Sequence, residues 1–243
     1  MQATEQNKIT LPLHNWEALH QLEREKNYFS NATAESAAGI ASSPSLGSPE
    51  FLVLTLAYKP LNRVTKLVRI IKVMRLLLEE FSSQGIQIFP CLEVPDHEPI
   101  DLFVILPEKA YLLISIRSKS TKEAKVIYNE ANETLYTKHK SKGLRKWLPC
   151  PLVELSDYHA WLGKNRRLFG ISANAIRRYS VIKALVLWKP MQIDRHREHL
   201  YSKVGEMTAL TLSRKGTALL IEEDEILDFV KACLVEAKEK ATK

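Results

Sequence analysis

Cations interleaved with aromatic rings are the groups in this sequence best suited to hold a ligand. Lys138, His139, Lys140, Lys142, Arg145, Lys146 and Trp147 fall within ten residues. Lys164, Arg166 and Arg167 closely follow Trp161, and Arg177 and Arg178 precede Tyr179. Lysine and arginine neutralise phosphates and rings stack on exposed bases, so this pattern points to nucleic acid. A solvated helix end and loop would carry the same composition. The overall charge agrees with a polyanion partner: 35 Lys and Arg against 28 Asp and Glu give a formal net charge of +7. Residues 1–50 hold three basic and six acidic groups, so the rest of the chain carries about +10.

Other chemistries find less support. His196 and His199 sit three apart, a spacing that suits two metal ligands on one helical face, but the surrounding DRHREH reads better as a polar loop. Neither GxxxxGK[ST] nor GxGxxG occurs, which disfavours a glycine-loop nucleotide site, and no GxSxG is present. Cys91, Cys150 and Cys233 are scattered without metal or redox spacing and read as buried free thiols of a reducing cytoplasm. The expectation is a cytoplasmic protein, with no signal pattern at its start and no apolar run of about 18 residues.

The elements that must position these groups follow from periodicity. Residues 11–29 read as a short helix through Trp16, Leu19 and Leu22. Residues 30–50 are rich in Ser, Ala, Gly and Pro and read as a flexible linker. FLVLTLAY (51–58) reads as a strand. Residues 62–84 read as a helix, with Val64, Leu67, Val68, Ile71, Met74 and Leu78 at helical spacing and Gly85 as its stop. Arg63, Lys66, Arg69, Lys72 and Arg75 wind around this helix rather than forming one face, and read as a solvated surface. Three strands follow at 86–94, 100–106 and 110–117. Pro90 marks an edge or bulge in the first, and the short Pro107-Glu108-Lys109 link makes the other two an antiparallel hairpin. Residues 120–140 read as a helix through Ala124, Ile127, Ala131 and Leu135, and helices are expected at 154–168 and 172–179. VIKALVLW (181–188) reads as a central strand, 208–212 and 217–221 as short strands, and the last segment as an amphipathic helix. The sum is an α/β fold with a mixed sheet.

Asp101 opens the second strand, and Ser115, Arg117 and Lys119 alternate onto one side of the third. A carboxylate and a cation so placed suit an ion pair. The order of elements, with IDLFVILPEKAYLLISIRSK at its centre, also resembles the PD-(D/E)XK nuclease superfamily, and within it the nuclease-related (NERD-like) domain, over about residues 62–235. In that family an Asp opens the second strand and Glu-X-Lys lies on the third. Asp101 fits the first position, while Ser115 stands where the Glu would be and Arg117 where the Lys would be.

The resemblance implies a restriction-endonuclease-like central sheet flanked by helices, in a domain spanning 51–243 behind an N-terminal segment (1–29) and the linker (30–50). It implies catalytic places at Asp101, Arg117 and Lys119. If the site were active, Mg²⁺ would sit on Asp101 and Glu93, with Glu108, Glu79 and Glu80 as other sources of a second carboxylate. A hydroxyl at 115 is a poor replacement for a carboxylate anion, and arginine cannot act as a tunable amine. The expectation is therefore a degenerate domain, without a cofactor, that binds nucleic acid or a nucleic-acid-processing partner without cutting. An active Mg²⁺-dependent nuclease and a protein-interaction scaffold, using the acidic N-terminal segment, are the alternatives.

Overall fold

The computed structural model describes residues 11–41, 49–107, 110–119, 123–139, 143–178 and 181–242. Two helices open the chain, α1 (Asn15–Ala41) and α2 (Pro49–Phe81). In α2, Leu67, Ile70, Ile71, Met74, Leu77, Leu78 and Phe81 recur at three- and four-residue spacing and are all buried. A single 3-10 turn then leads to Gly85, whose φ of 83° is the left-handed stop expected at that position.

Next come β1 (Gln87–Leu92), β2 (Ile100–Ile105) and β3 (Tyr111–Arg117), an antiparallel meander. The chain then builds a second unit from β4 (Ala124–Asn129), β5 (Thr134–His139) and β6 (Gly143–Lys146). It continues through α3 (Pro151–Asn165) and α4 (Ala173–Arg178) to β7 (Val181–Leu187) and β8 (Met191–Ile193). Strands β9 (Tyr201–Val204), β10 (Met207–Ser213) and β11 (Thr217–Glu222) and helix α5 (Ile226–Thr242) complete it.

The large sheet has the order β1-β2-β3-β7-β11-β10-β9, with β3, β7 and β11 parallel and the remaining pairs antiparallel. The apolar strand β7 is central, as its composition requires. Helices α1, α2 and α5 pack one face through Leu19, Leu77 and Phe229, while α3 packs the other through Leu155, Tyr158 and Leu162. A four-stranded sheet, β6-β5-β4-β8, adds Val126, Tyr128 and Leu135 to that second core. The protein is thus an α/β fold with mixed sheets flanked by helices, and no described helix is long and apolar enough to cross a membrane.

Edge strand β1 is protected in two ways. The Asn15 side chain donates from Nδ2 to the Ile86 carbonyl (2.9 Å) and accepts from the Ile88 amide (2.7 Å), so one side-chain amide stands in for a neighbouring strand. Further along, Pro90 lacks an N–H and Cys91 takes a φ of 49°. That kink changes the phase of the strand, so Leu92 and Val94 join Phe89 in the α3-side core.

Four local expectations are corrected. Helix α1 continues to Ala41, through part of the stretch read as a linker, and residues 42–48 lie outside those described. Ala18, Leu19 and Leu22 are buried in the main core, so the start of α1 is not a segment apart from it. Residues 51–58 belong to α2 rather than to a strand, because an eight-residue apolar run suits either element and here continues the helix behind it. Residues 124–139 form the β4–β5 hairpin, not a helix. There Ala124, Val126 and Tyr128 alternate inward, and the turn is made by Asn129, which accepts from the Ala131 amide (3.0 Å), and by Glu133 at a φ of 47°.

Candidate functional site

Asp101 stands at the start of β2, next to β3, with its side chain fully buried. Oδ2 carries the hydrogen bonds, whereas Oδ1 has an ion-pair partner but no hydrogen bond among the described residues. Oδ2 accepts from the Ile116 amide (2.7 Å) and from Arg117 Nη1 (2.6 Å), while Oδ1 is ion-paired with Lys66 Nζ of α2 at 2.9 Å. Arg117 in turn reaches Glu154, in the first turn of α3, through Nη2 at 3.0 Å. Lys66 has a second, looser partner in Glu98 at 3.5 Å. The result is a chain of alternating charge, Glu98–Lys66–Asp101–Arg117–Glu154. It ties α2, β2, β3 and α3 together at one end of the sheet.

The electrostatics match this geometry. Burial opposes the charge on Arg117, but Asp101 and Glu154 outweigh it, and the guanidinium is held above its ordinary range. Tyr158, one turn beyond Glu154, lies beside the same guanidinium. Burial is the main cause that raises its phenol, Glu154 and Asp101 raise it further, and Arg117 opposes them. Ser115 is buried in the same region, and its neutral hydroxyl has no hydrogen-bond partner among the described residues.

The other residues proposed for catalysis lie apart. The Lys119 amine donates to the Leu148 carbonyl and stands 5.9 Å above the Trp147 ring. Glu93 is exposed and lines a surface groove with Arg63, Pro90 and Glu25. Glu79 and Glu80 are exposed about 20 Å further along α2 than Lys66, at ~1.5 Å per residue. Glu108 lies outside the described residues. A Mg²⁺ ion needs free carboxylate oxygens, and at Asp101 it would first have to displace Lys66 or Arg117. The residues present therefore do not fit a divalent ion at that position.

The basic residues separate into groups. Lys138, on β5, and Arg145 and Lys146, on β6, are exposed. Lys140 and Lys142 lie in a stretch outside the described residues. Trp147 is 4% exposed and packs in the core, so its ring is not a stacking surface, contrary to the expectation from its basic neighbours. Lys164, about 20 Å from the start of α3 at ~1.5 Å per residue, and Arg167, in the 3-10 turn that follows, are exposed. Arg166 donates to the Gly163 carbonyl (2.8 Å) and is partly buried, and Arg177 and Arg178 close α4.

The wound row on α2 is solvated at Lys72 and Arg75 and part-buried at Arg63, Lys66 and Arg69, and its cations have partners. Arg63 pairs with Glu25 (2.7 Å), Arg75 with Glu23 and Lys72 with Glu223 (3.7 Å), while Arg69 and Lys72 stand over the Trp188 ring. Two acidic groups of the N-terminal segment are thus engaged within the chain.

His196 lies in a loop, as expected, and His199 in the 3-10 turn Glu198–Leu200 that follows, and both are pinned. The Tyr128 amide donates to His196 Nε2 (2.8 Å), so Nδ1 carries the proton and donates to the Asp194 carbonyl (2.6 Å). His199 pairs with Glu130 at 2.8 Å. The sequence reading missed Lys66 and Glu154 as partners in the Asp101 network. An acidic residue in the first turn after Pro151 was the only signal for Glu154. No protein-family model, curated protein or solved structure matches this chain.

Proposed function

We propose that this chain is a nuclease-like domain that binds nucleic acid, or a partner working on nucleic acid, without cutting it. The observation that carries this reading is Asp101, whose two oxygens are taken by Lys66, Arg117 and the Ile116 amide. A PD-(D/E)XK site needs carboxylates on neighbouring strands that are free to hold a metal ion. Here the position facing Asp101 carries Ser115, and the protein's own cations satisfy the one carboxylate.

The order of elements supports the resemblance. A helix precedes an antiparallel meander, β7 lies parallel to β3, and β11 leads through Glu223, Asp224 and Glu225 into α5. The exposed cations of β5, β6 and the end of α3 support a polyanion ligand.

The test is incubation of the full chain with DNA and RNA, with and without Mg²⁺ or Mn²⁺, alongside binding measured over a range of salt. Binding that weakens steeply with salt and produces no cleavage is the expected result. Metal-dependent cutting that Asp101→Ala abolishes would establish an active nuclease instead. Absence of binding at low salt would leave the interaction scaffold as the better reading.

A further inference from the structure

The four-stranded sheet turns one face to the core and the other to solvent. Register and alternation place Lys125 and Ile127 of β4, Tyr136 and Lys138 of β5, and Leu144 and Lys146 of β6 on the outer face. They form two cross-strand rows, Lys125–Lys138–Leu144 and Ile127–Tyr136–Lys146. The three lysines are exposed, Leu144 is 57% exposed, and Tyr136 and Ile127 are half-buried. The Tyr136 hydroxyl accepts from Asn132 Nδ2 at 3.0 Å, which fixes the ring's orientation.

Two features of this face call for a ligand. Lys125 and Lys138 are directly opposed on neighbouring strands, an arrangement that repels. Asp194 relieves it in part, with Oδ1 at 3.2 Å from Lys125. Burial pushes the Asp194 carboxyl up, but hydrogen bonds from Lys125 and the Arg195 amide, with the charges of Lys125 and Lys138, bring it below the usual range. Beside Ile127 the face also opens into a cleft of about 950 Å³, whose walls carry Arg195 and Arg197 together with Glu130 and Glu198. One ring, Tyr136, and the exposed Leu144 each lie beside a lysine of a neighbouring strand, Lys146 and Lys138, about 5 Å away.

A duplex offers such a surface its phosphates but keeps its base faces stacked inside. An acidic peptide would satisfy the lysines but not the ring. A single strand presents phosphates and open base faces together. We infer that the outer face of the β6-β5-β4-β8 sheet binds single-stranded nucleic acid. Tyr136 stacks on a base, and Lys125, Lys138 and Lys146 neutralise the flanking phosphates. This rests on the reading under Proposed function and adds Lys125, Tyr136 and Leu144 to the surface.

The test is fluorescence anisotropy of the full chain with a labelled oligothymidylate of about 20 nucleotides and a duplex of equal length. The single strand is expected to bind more tightly. Tyr136→Ala should weaken it about tenfold, and Tyr136→Phe, which keeps the ring, should bind like the parent. Lys138→Gln should make the slope of log K against log salt shallower by about 0.7. Because Lys138 is exposed, its variant decides the matter should Tyr136→Ala fail to fold. A preference for duplex, or single-strand binding indifferent to both Tyr136→Ala and Lys138→Gln, overturns this inference. If duplex binding is then weakened by Lys164→Gln with Arg167→Gln, the proposed function stands while this surface falls. No binding of either oligonucleotide at low salt overturns both.

Discussion

Replacing Asp101 by alanine separates a structural network from a catalytic one. The substitution removes a fully buried carboxylate that accepts the Ile116 amide and holds Lys66 and Arg117 at 2.9 and 2.6 Å. Lys66 keeps only Glu98 at 3.5 Å, and Arg117, whose side chain is 16% exposed, keeps Glu154. Breaking a buried pair on one side leaves an uncompensated charge and costs about 3–5 kcal/mol. Against a typical folding free energy of about 5–15 kcal/mol, that is a large part of the whole.

The measurement is urea unfolding near neutral pH, followed by circular dichroism. The midpoint should fall sharply at an unchanged slope. Exchanging both partners, Asp101→Leu with Arg117→Met, should recover part of the loss, since the 16% exposed guanidinium is then no longer left without Asp101, although Glu154 gives up its Arg117 partner and Lys66 still keeps only Glu98. An active-site carboxylate behaves differently, because such groups are held at a cost to stability and their removal is often neutral or stabilising. A variant within about 0.5 kcal/mol of the parent would refute the reasoning, since ordinary surface substitutions do as little.

Three further outcomes are expected. Lys183, 6% exposed on β7, has a pKa lowered by burial, and its amine has the Lys215 carbonyl at 3.5 Å. Below the folded pKa the unfolded chain carries that charge more easily. Its contribution to stability is therefore flat at low pH and rises only as pH passes from the lowered folded value to the ordinary lysine range, and Lys183→Met should raise Tm at pH 7 and remove that rise. Asn15→Ala should cost about 1–2 kcal/mol and speed hydrogen exchange at the Ile88 amide, whereas Asn15→Asp, which keeps an acceptor, should protect that amide better. Burial pushes the Cys91 and Cys233 thiols up to about 12, so iodoacetamide at pH 8 should label both slowly in the native protein and rapidly in urea, read by mass spectrometry.

Where one period governed a segment, the sequence was legible. The helical spacing of α2, the short β2–β3 link and the Gly85 stop each admit one conformation, and each is found, as is the nearly all-apolar strand β7. The failures came where two periods fit. Ala124, Ile127, Ala131 and Leu135 satisfy helical spacing, yet Ala124, Val126 and Tyr128 satisfy strand spacing in the same stretch, and pairing with β5 and β8 decides for the strand. FLVLTLAY suited a strand until the helix behind it is seen to continue through it.

The candidate site divides along the same line. Alternation put Arg117 on one side of β3, and the hairpin brought Asp101 next to it, so their pairing followed from local geometry. Lys66 and Glu154 arrive from helices on opposite faces of the sheet, and no local period specifies what covers a strand end. Those two residues bear most directly on activity. Without them Asp101 would be a carboxylate with an oxygen to spare beside a single cation, an arrangement open to a metal ion. With Lys66 on Oδ1 and Glu154 drawing Arg117 into a fixed position, the same carboxylate becomes the centre of a closed ionic clamp. The distinction between a nuclease site and a structural joint therefore rests on partners that only tertiary packing supplies.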